Sequence, residues 1–307
     1  MDGKRFHSLD YEMKRRYGEK VYRLALNGGF TCPNRDGKVG WDGCIFCSAG
    51  GSGDFASSPL LSVTEQIAQQ KAMLRSKRPV RKFIAYFQAF TSTYAPVARL
   101  EELYMEAIRD PDVAILAIGT RPDELPDEVI SLLGRLNQIK PVWIELGLQT
   151  IHEETAAFIR RGYPLSCFED ALRRLRQAQI EVIVHTILYL PGETPEDMLS
   201  TMHYLARQDI QGIKLSLLHV LEHTDLATLY KKQPFYLPTI EEYVEMVITI
   251  LEQLPPELVI HRLTGDGPSD LLIAPDWTRN KRQVLNTLGK RMKEKDTWQG
   301  KKLLISS

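Results

Sequence analysis

The sequence predicts an α/β fold, a partial (β/α)6-type barrel of parallel strands with a short C-terminal extension. Three observations predict it. Apolar, β-branched runs recur with amphipathic stretches between them, the order of repeated strand–helix–strand units with right-handed crossovers. The runs are continuous rather than alternating, as in strands buried on both faces. The chain of 307 residues, 43% hydrophobic and 25% charged, has the length and composition of one barrel-sized core.

A charged lead-in (1–20) precedes the first strand, "VYRLAL" (21–26). The strands "KFIAYF" (82–87), "VAILAIG" (113–119), "VWIELGL" (142–148), "EVIVHTILYL" (181–190), "GIKLSLL" (212–218) and "ELVIHRL" (257–263) follow. Capping pairs mark helix starts between them: Ser62 with Glu65, Ser166 with Glu169, Thr194 with Asp197 and Thr239 with Glu242. The core barrel spans 21–265. Residues 266–307 form a basic extension packed on it. In such folds the loops after the strands' C-terminal ends build the site.

The formal net charge is zero, which gives no global electrostatic case for nucleic acid and none against a local basic patch. The N-terminus has no apolar signal core, and no run of about 18 apolar residues would span a membrane. Four cysteines are too few for a disulfide scaffold, so the expected setting is the reducing cytoplasm.

Three of the four cysteines crowd into "TCPNRDGKVGWDGCIFCSAGG" (31–51), directly after the first strand. Cys32, Cys44 and Cys47 are spaced C-x11-C-x2-C. A structural zinc site wants four ligands, and the remaining Cys167 stands remote at a helix start. A redox pair at Cys44 and Cys47 leaves Cys32 unexplained and is followed by the glycine-rich "SAGGSGD" (48–54) rather than a helix. In a [4Fe–4S] cluster, three thiolates leave one iron open to an amine and a carboxylate from a small molecule.

At this point the sequence resembles the radical SAM superfamily. Within it the sequence is similar to the branch of the Elongator catalytic subunit and oxygen-independent coproporphyrinogen oxidase, and most similar to the bacterial YhcC/YtqA group. The resemblance implies that Cys32, Cys44 and Cys47 hold a [4Fe–4S] cluster, with S-adenosyl-L-methionine (SAM) on the open iron and Phe46 near the adenine. In "YFQAFTSTYAP" (86–96), the glycines that relatives use for the methionine amino group are absent, and Gln88, Thr91 and Ser92 offer polar atoms instead. "GTRPDEL" (119–125) carries Arg121 and matches a Thr-Arg-Pro-Asp segment of the Elongator branch. Gln149 of "IELGLQT" (144–150) would reach the cofactor, and Arg161 of "RRGYP" (160–164) would approach the methionine carboxylate. In "VHTILYLPGET" (184–194), His185 would face the ribose, and Leu190 to Gly192 would border the adenine. "KLSLLHVLEHTDLA" (214–227) resembles a strand-end segment of the coproporphyrinogen branch.

Read without the resemblance, the same residues have plainer roles. A lone His185 on an apolar strand is a hydrogen-bonded core histidine, "GTRPDEL" is a turn capped by Asp123, and Tyr86 and Phe87 are core. His219, Glu222 and His223 lack the helical spacing of zinc enzymes.

The resemblance further implies an electron donor such as flavodoxin or ferredoxin. It points to tRNA or another RNA as substrate, with a small metabolite as the alternative. A non-catalytic iron–sulfur or zinc protein that binds a partner is the reading from outside enzymology. The tail 278–302 holds nine Lys or Arg against two acidic residues, with Trp298 among them. That pattern fits an RNA-contacting surface or, more plainly, a solvated helix face with a docked tryptophan.

Overall fold

The computed structural model describes residues 3–51, 53–77, 79–265 and 267–303. Met1 and Asp2 of the lead-in, Ser52 of the glycine-rich run, Asp266 at the start of the extension and residues 304–307 at its end lie outside the described residues.

The element order is α1 (Leu9–Tyr17), β1 (Val21–Leu26), α2 (Val63–Arg75), β2 (Lys82–Phe87), α3 (Val97–Arg109), β3 (Val113–Thr120), α4 (Asp127–Asn137), β4 (Val142–Gln149), α5 (Glu153–Phe158), α6 (Leu165–Gln177) and β5 (Glu181–Leu188). Then come α7 (Pro195–Leu205), β6 (Gly212–Leu217), β7 (Val220–Leu221), α8 (Asp225–Lys232), α9 (Ile240–Gln253), β8 (Val259–Arg262), β9 (Leu272–Ala274) and α10 (Lys281–Glu294). One seven-stranded sheet runs β1-β2-β3-β4-β5-β6-β8, in chain order with no reversal. A doubly wound sheet would reverse, and a barrel does not. The β1/β2, β2/β3, β3/β4 and β6/β8 pairings are parallel. The predicted partial-barrel α/β class is the observed one.

Cα packing divides the chain into two compact units. One holds residues 13–147 and 162–183. Its outer face is apolar: Phe87 of β2 meets the fully buried Tyr104 of α3 edge-on, with ring centroids 5.2 Å apart. The Tyr104 hydroxyl donates to the Ser92 carbonyl, and burial pushes its pKa up. The second unit holds residues 1–12, 148–161 and 184–307. Here the lead-in is more than a leader. The His7 carbonyl accepts from Ile260 N at 2.8 Å, and Ser8 bridges Ile260, so the lead-in continues the pairing of β8. The extension is stitched in by strand pairing and by side-chain hydrogen bonds. β9 pairs antiparallel with β7, and the Gln299 amide donates to the Pro255 and Leu258 carbonyls.

Ser62, Thr194 and Thr239 each cap a helix in a complete capping box. Ser166 does not. α6 begins two residues earlier than a Ser166 cap would set it, at Leu165 with Pro164 as N-cap, because that proline already holds the extended backbone a cap needs. β5 stops at Leu188 rather than residue 190, since Tyr189 turns left-handed at φ 62.

Candidate functional site at the strand ends

The cysteine loop is built by its own backbone. Pro33 accepts from Val39 N (2.8 Å) and Gly40 N (3.2 Å), and Asn34 O accepts from Gly43 N (2.7 Å), folding the eleven-residue insert back on itself. Cys47 N donates to Cys44 O at 3.0 Å, a turn that places both sulfurs together. The Arg35 guanidinium donates to the carbonyls of Cys47 (3.1 Å) and Ser48 (2.6 Å), clamping the far end. All four cysteines are free thiols. A hydrogen bond from Cys47 is the chief cause that draws the Cys44 pKa down to about 7, against burial, and Arg121, Asn34 and Arg35 add to it. Cys32 is near enough for its charge to act on Cys47 and on Arg121. Cys167 differs: burial and the charges of Asp123 and Asp170 push its pKa up.

Residues 88–93 follow β2 and lie against this loop. Thr91 N donates to Thr31 O (3.2 Å), and Phe90 N to Gly51 O (2.9 Å). Gln88 and Phe46 are half-buried, and Thr91 and Ser92 are buried. The Ser92 hydroxyl donates to Ala89 O at 3.3 Å, within its own loop. Arg121, just past β3, is gripped by both Asp123 oxygens (2.9 and 2.6 Å), and its guanidinium lies 4.9 Å from the centre of the Tyr163 ring. Burial opposes its charge, and Asp123 outweighs burial. Gly162 makes this packing fit. Its φ is +82, and an added Cβ would sit 2.7 Å from Asn34 Oδ1 and 2.8 Å from Val39 Cγ1.

In the other unit, Gln149 ends β4 with a left-handed φ of 65. Phe90 (φ 59) after β2 and Tyr189 (φ 62) after β5 do the same, a recurrent strain at strand ends. The Arg161 guanidinium is buried and donates to Leu148 O (3.1 Å) and Thr150 O (2.6 Å), with Glu153 at 3.1 Å. It therefore straps the end of β4. His185 is half-buried on β5, Leu190 is buried, and Gly192 (φ +91) has open space where a Cβ would be. His219 is enclosed by the Gly265 and Gly267 backbones, and its Nε2 is buried with no hydrogen-bond partner among the described residues. Burial, Lys281 and Arg262 pull its pKa down to about 4.

Sequence reasoning passed over two charges. Arg23 of β1 and Glu145 of β4 form an ion pair at 2.8 Å, and the Arg23 guanidinium lies 5.0 Å from the Tyr86 ring centre. The signal was present: "VYRLAL" and "VWIELGL" each place one full charge in the middle of an apolar run. Lys214, buried in "GIKLSLL", is a third case. The tail departs from expectation at one point. Thr297 and Gln299 are the buried anchors, and Trp298 between them is 44% exposed, with Lys301 Nζ 4.7 Å from its ring centre. Trp298 opens a turn closed by Lys301 N on the Trp298 carbonyl at 3.2 Å.

Among the described residues, no group of three or more His, Cys, Asp and Glu side chains is arranged to hold a single metal ion. A cluster asks for something else, since its thiolates bind different irons at wider spacing. Three free thiols on one loop, one of them drawn toward thiolate beside two guanidinium groups, fit that demand.

Residues 29–205 match the radical SAM superfamily, and residues 210–294 match the radical SAM C-terminal domain. The chain belongs to the radical SAM superfamily. YtqA of Bacillus subtilis (strain 168) is 43% identical over 298 residues, covering 97% of this chain and 92% of that protein. The tRNA uridine(34) acetyltransferase of Methanocaldococcus jannaschii is 25% identical over 161 residues, 52% of this chain and 29% of that one. The archaeal Elp3 structure from Methanocaldococcus infernus shares the fold, with a TM-score of 0.67 at 18% identity over 91% of this chain and 64% of that chain. This radical SAM enzyme has, among its described residues, no helix long and apolar enough to cross a membrane.

Proposed function

We propose that this radical SAM enzyme holds a [4Fe–4S] cluster on Cys32, Cys44 and Cys47, binds SAM at its open iron and acts on tRNA. The observation that carries the reading is the three-thiol loop itself, with Cys44 and Cys47 joined in one turn and Arg35 holding the carbonyls of Cys47 and Ser48. Held by Cys32, Cys44 and Cys47, a cluster would supply the electron for reductive cleavage of SAM, and SAM would supply the radical for hydrogen abstraction. The chain's own part is to hold and shield. Asn34 Nδ2 stands 3.5 Å from Cys44 Sγ and orients it, and Arg35 fixes the loop's far end. Gln88, Thr91, Ser92, Gln149, Arg161, His185, Leu190 and Gly192 are proposed to line the SAM site, with Phe46 near the adenine and Arg121 balancing thiolate charge. A reducing cytoplasm keeps the thiols free. The electron comes from a flavodoxin- or ferredoxin-like donor.

Support for tRNA comes from the acetyltransferase relative, whose name gives a tRNA uridine as its target. The basic tail adds little. Arg291 and Lys295 pair with Glu245, Lys302 with Glu252, and Lys290 with Glu294. That pairing favours a small-metabolite substrate as the second reading.

The test is anaerobic: reconstitute with iron and sulfide, reduce, add SAM and quantify 5′-deoxyadenosine with and without bulk tRNA from a strain lacking this protein. The expected result is formation raised by tRNA. A rate unchanged by tRNA moves the substrate to a small molecule. Cys44→Ala should lose iron and keep its far-ultraviolet circular dichroism. Retained iron would overturn the ligand assignment.

A further inference from the structure

In a flat sheet, β1 and β4 lie three strand spacings apart, about 14 Å. Arg23 and Glu145 nevertheless meet at 2.8 Å, across the Tyr86 ring on β2. This requires all three on one face of β1–β4. It is the face opposite Phe87, which packs on α3. By register Glu145 is level with Gly119 on β3 and, one step past the Phe87–Ile118 pair, with Gln88. Glu145 is therefore level with the end of β2, and Arg23, in the middle of β1 and in register with Ile84, reaches it along the face turned away from α3.

Two features mark this as more than a stabilising bridge. A buried ion pair generally returns less than its desolvation takes, and apolar residues of the same size would hold the strands as well. Beside it the inner face carries no side chain at two positions: Gly119 on β3, where the Tyr86 hydroxyl lies 3.5 Å from where a Cβ would be, and Gly147, which follows Glu145 on the same face by alternation. Glycine within a strand marks a place where a ligand or another backbone approaches closely. The pair is also unevenly covered. The Glu145 side chain is 0% exposed and that of Arg23 is 23% exposed, so the end that faces open space is the cation.

We infer that Arg23 is an anion-binding residue of the substrate site: it takes a carboxylate or phosphate group of the substrate, with Glu145 and Tyr86 positioning it. This deepens the radical SAM reading, since the same inner face would carry substrate and cofactor.

The test uses the reconstituted enzyme without SAM or tRNA, so it can fail independently of the tRNA reading. Melting temperature is followed against sodium phosphate and against sodium acetate, each compared with sodium chloride at equal ionic strength. A shift with phosphate identifies a phosphate group, and a shift with acetate a carboxylate. Arg23→Gln should raise the anion concentration for half the shift about tenfold, and Arg23→Lys should restore part of it. Glu145→Gln should lower that concentration, because the anion no longer meets a carboxylate. Opposite signs would not arise from a merely structural pair, and the Glu145 variant serves if Arg23→Gln does not fold. No shift beyond chloride in the wild type, or equal responses in all variants, overturns the proposal.

Discussion

Gly162 shows how one residue can hold a site together. It sits in "RRGYP", and its missing side chain leaves room for Asn34 Oδ1, whose amide nitrogen in turn stands by Cys44. Gly162→Ala adds a Cβ at 2.7 Å from Asn34 and demands φ +82 of an alanine. A loss of about 1–3 kcal/mol in urea unfolding is expected, together with reduced iron content after reconstitution. His219 gives a pH test. Its folded pKa of about 4 lies below the ordinary 6.5, so the unfolded chain binds the extra proton between those values. Its contribution is complete above pH 6.5 and declines as pH falls toward about 4, by at most about 1.4 kcal/mol per unit. Thermal melts from pH 7 to 4 should show that slope, and His219→Gln should flatten it. A slope unaltered by the substitution would place the titrating group elsewhere.

Among the elements, α7 follows "LPGET" and begins at a complete capping box. Thr194 Oγ1 accepts from Asp197 N at 3.2 Å, and Asp197 Oδ2 accepts from Thr194 N at 2.9 Å. Thr194→Ala should lower stability by about 1 kcal/mol, seen as a lower urea midpoint at unchanged m-value. Such caps were legible because their hydrogen bonds are local. Ser166 was misleading for the same reason: the serine–glutamate spacing fits a cap, but Pro164 two residues earlier had already set the backbone. Strand interiors were legible from continuous apolar runs, and strand ends less so. β5 is ended by a left-handed tyrosine, and no propensity marks Tyr189 for that conformation.

At the scale of the whole molecule, charge decides less than composition suggests. The tail is basic in sequence, yet Glu245 and Glu252 of α9 take up Arg291, Lys295 and Lys302. Replacing Lys290 and Lys293 together with glutamine should leave tRNA retention and its salt dependence unchanged. A salt slope reduced by about two would instead put the tail on the RNA backbone.

The sequence by itself determined the α/β class, the positions of the strands along the chain and the three-thiol loop. Each rests on residues near one another in the chain: apolar runs with their caps, and a C-x11-C-x2-C spacing that one loop can close. Only the tertiary structure decided which distant charges meet. Arg23 and Glu145 are 122 positions apart by number and become partners because β1 and β4 present one face of the same sheet. It also decided that Arg161 braces the end of β4, that Trp298 faces outward, and that the tail's cations meet carboxylates on α9. Pairings of this kind depend on side-chain direction and on distance through space, and local sequence patterns encode neither.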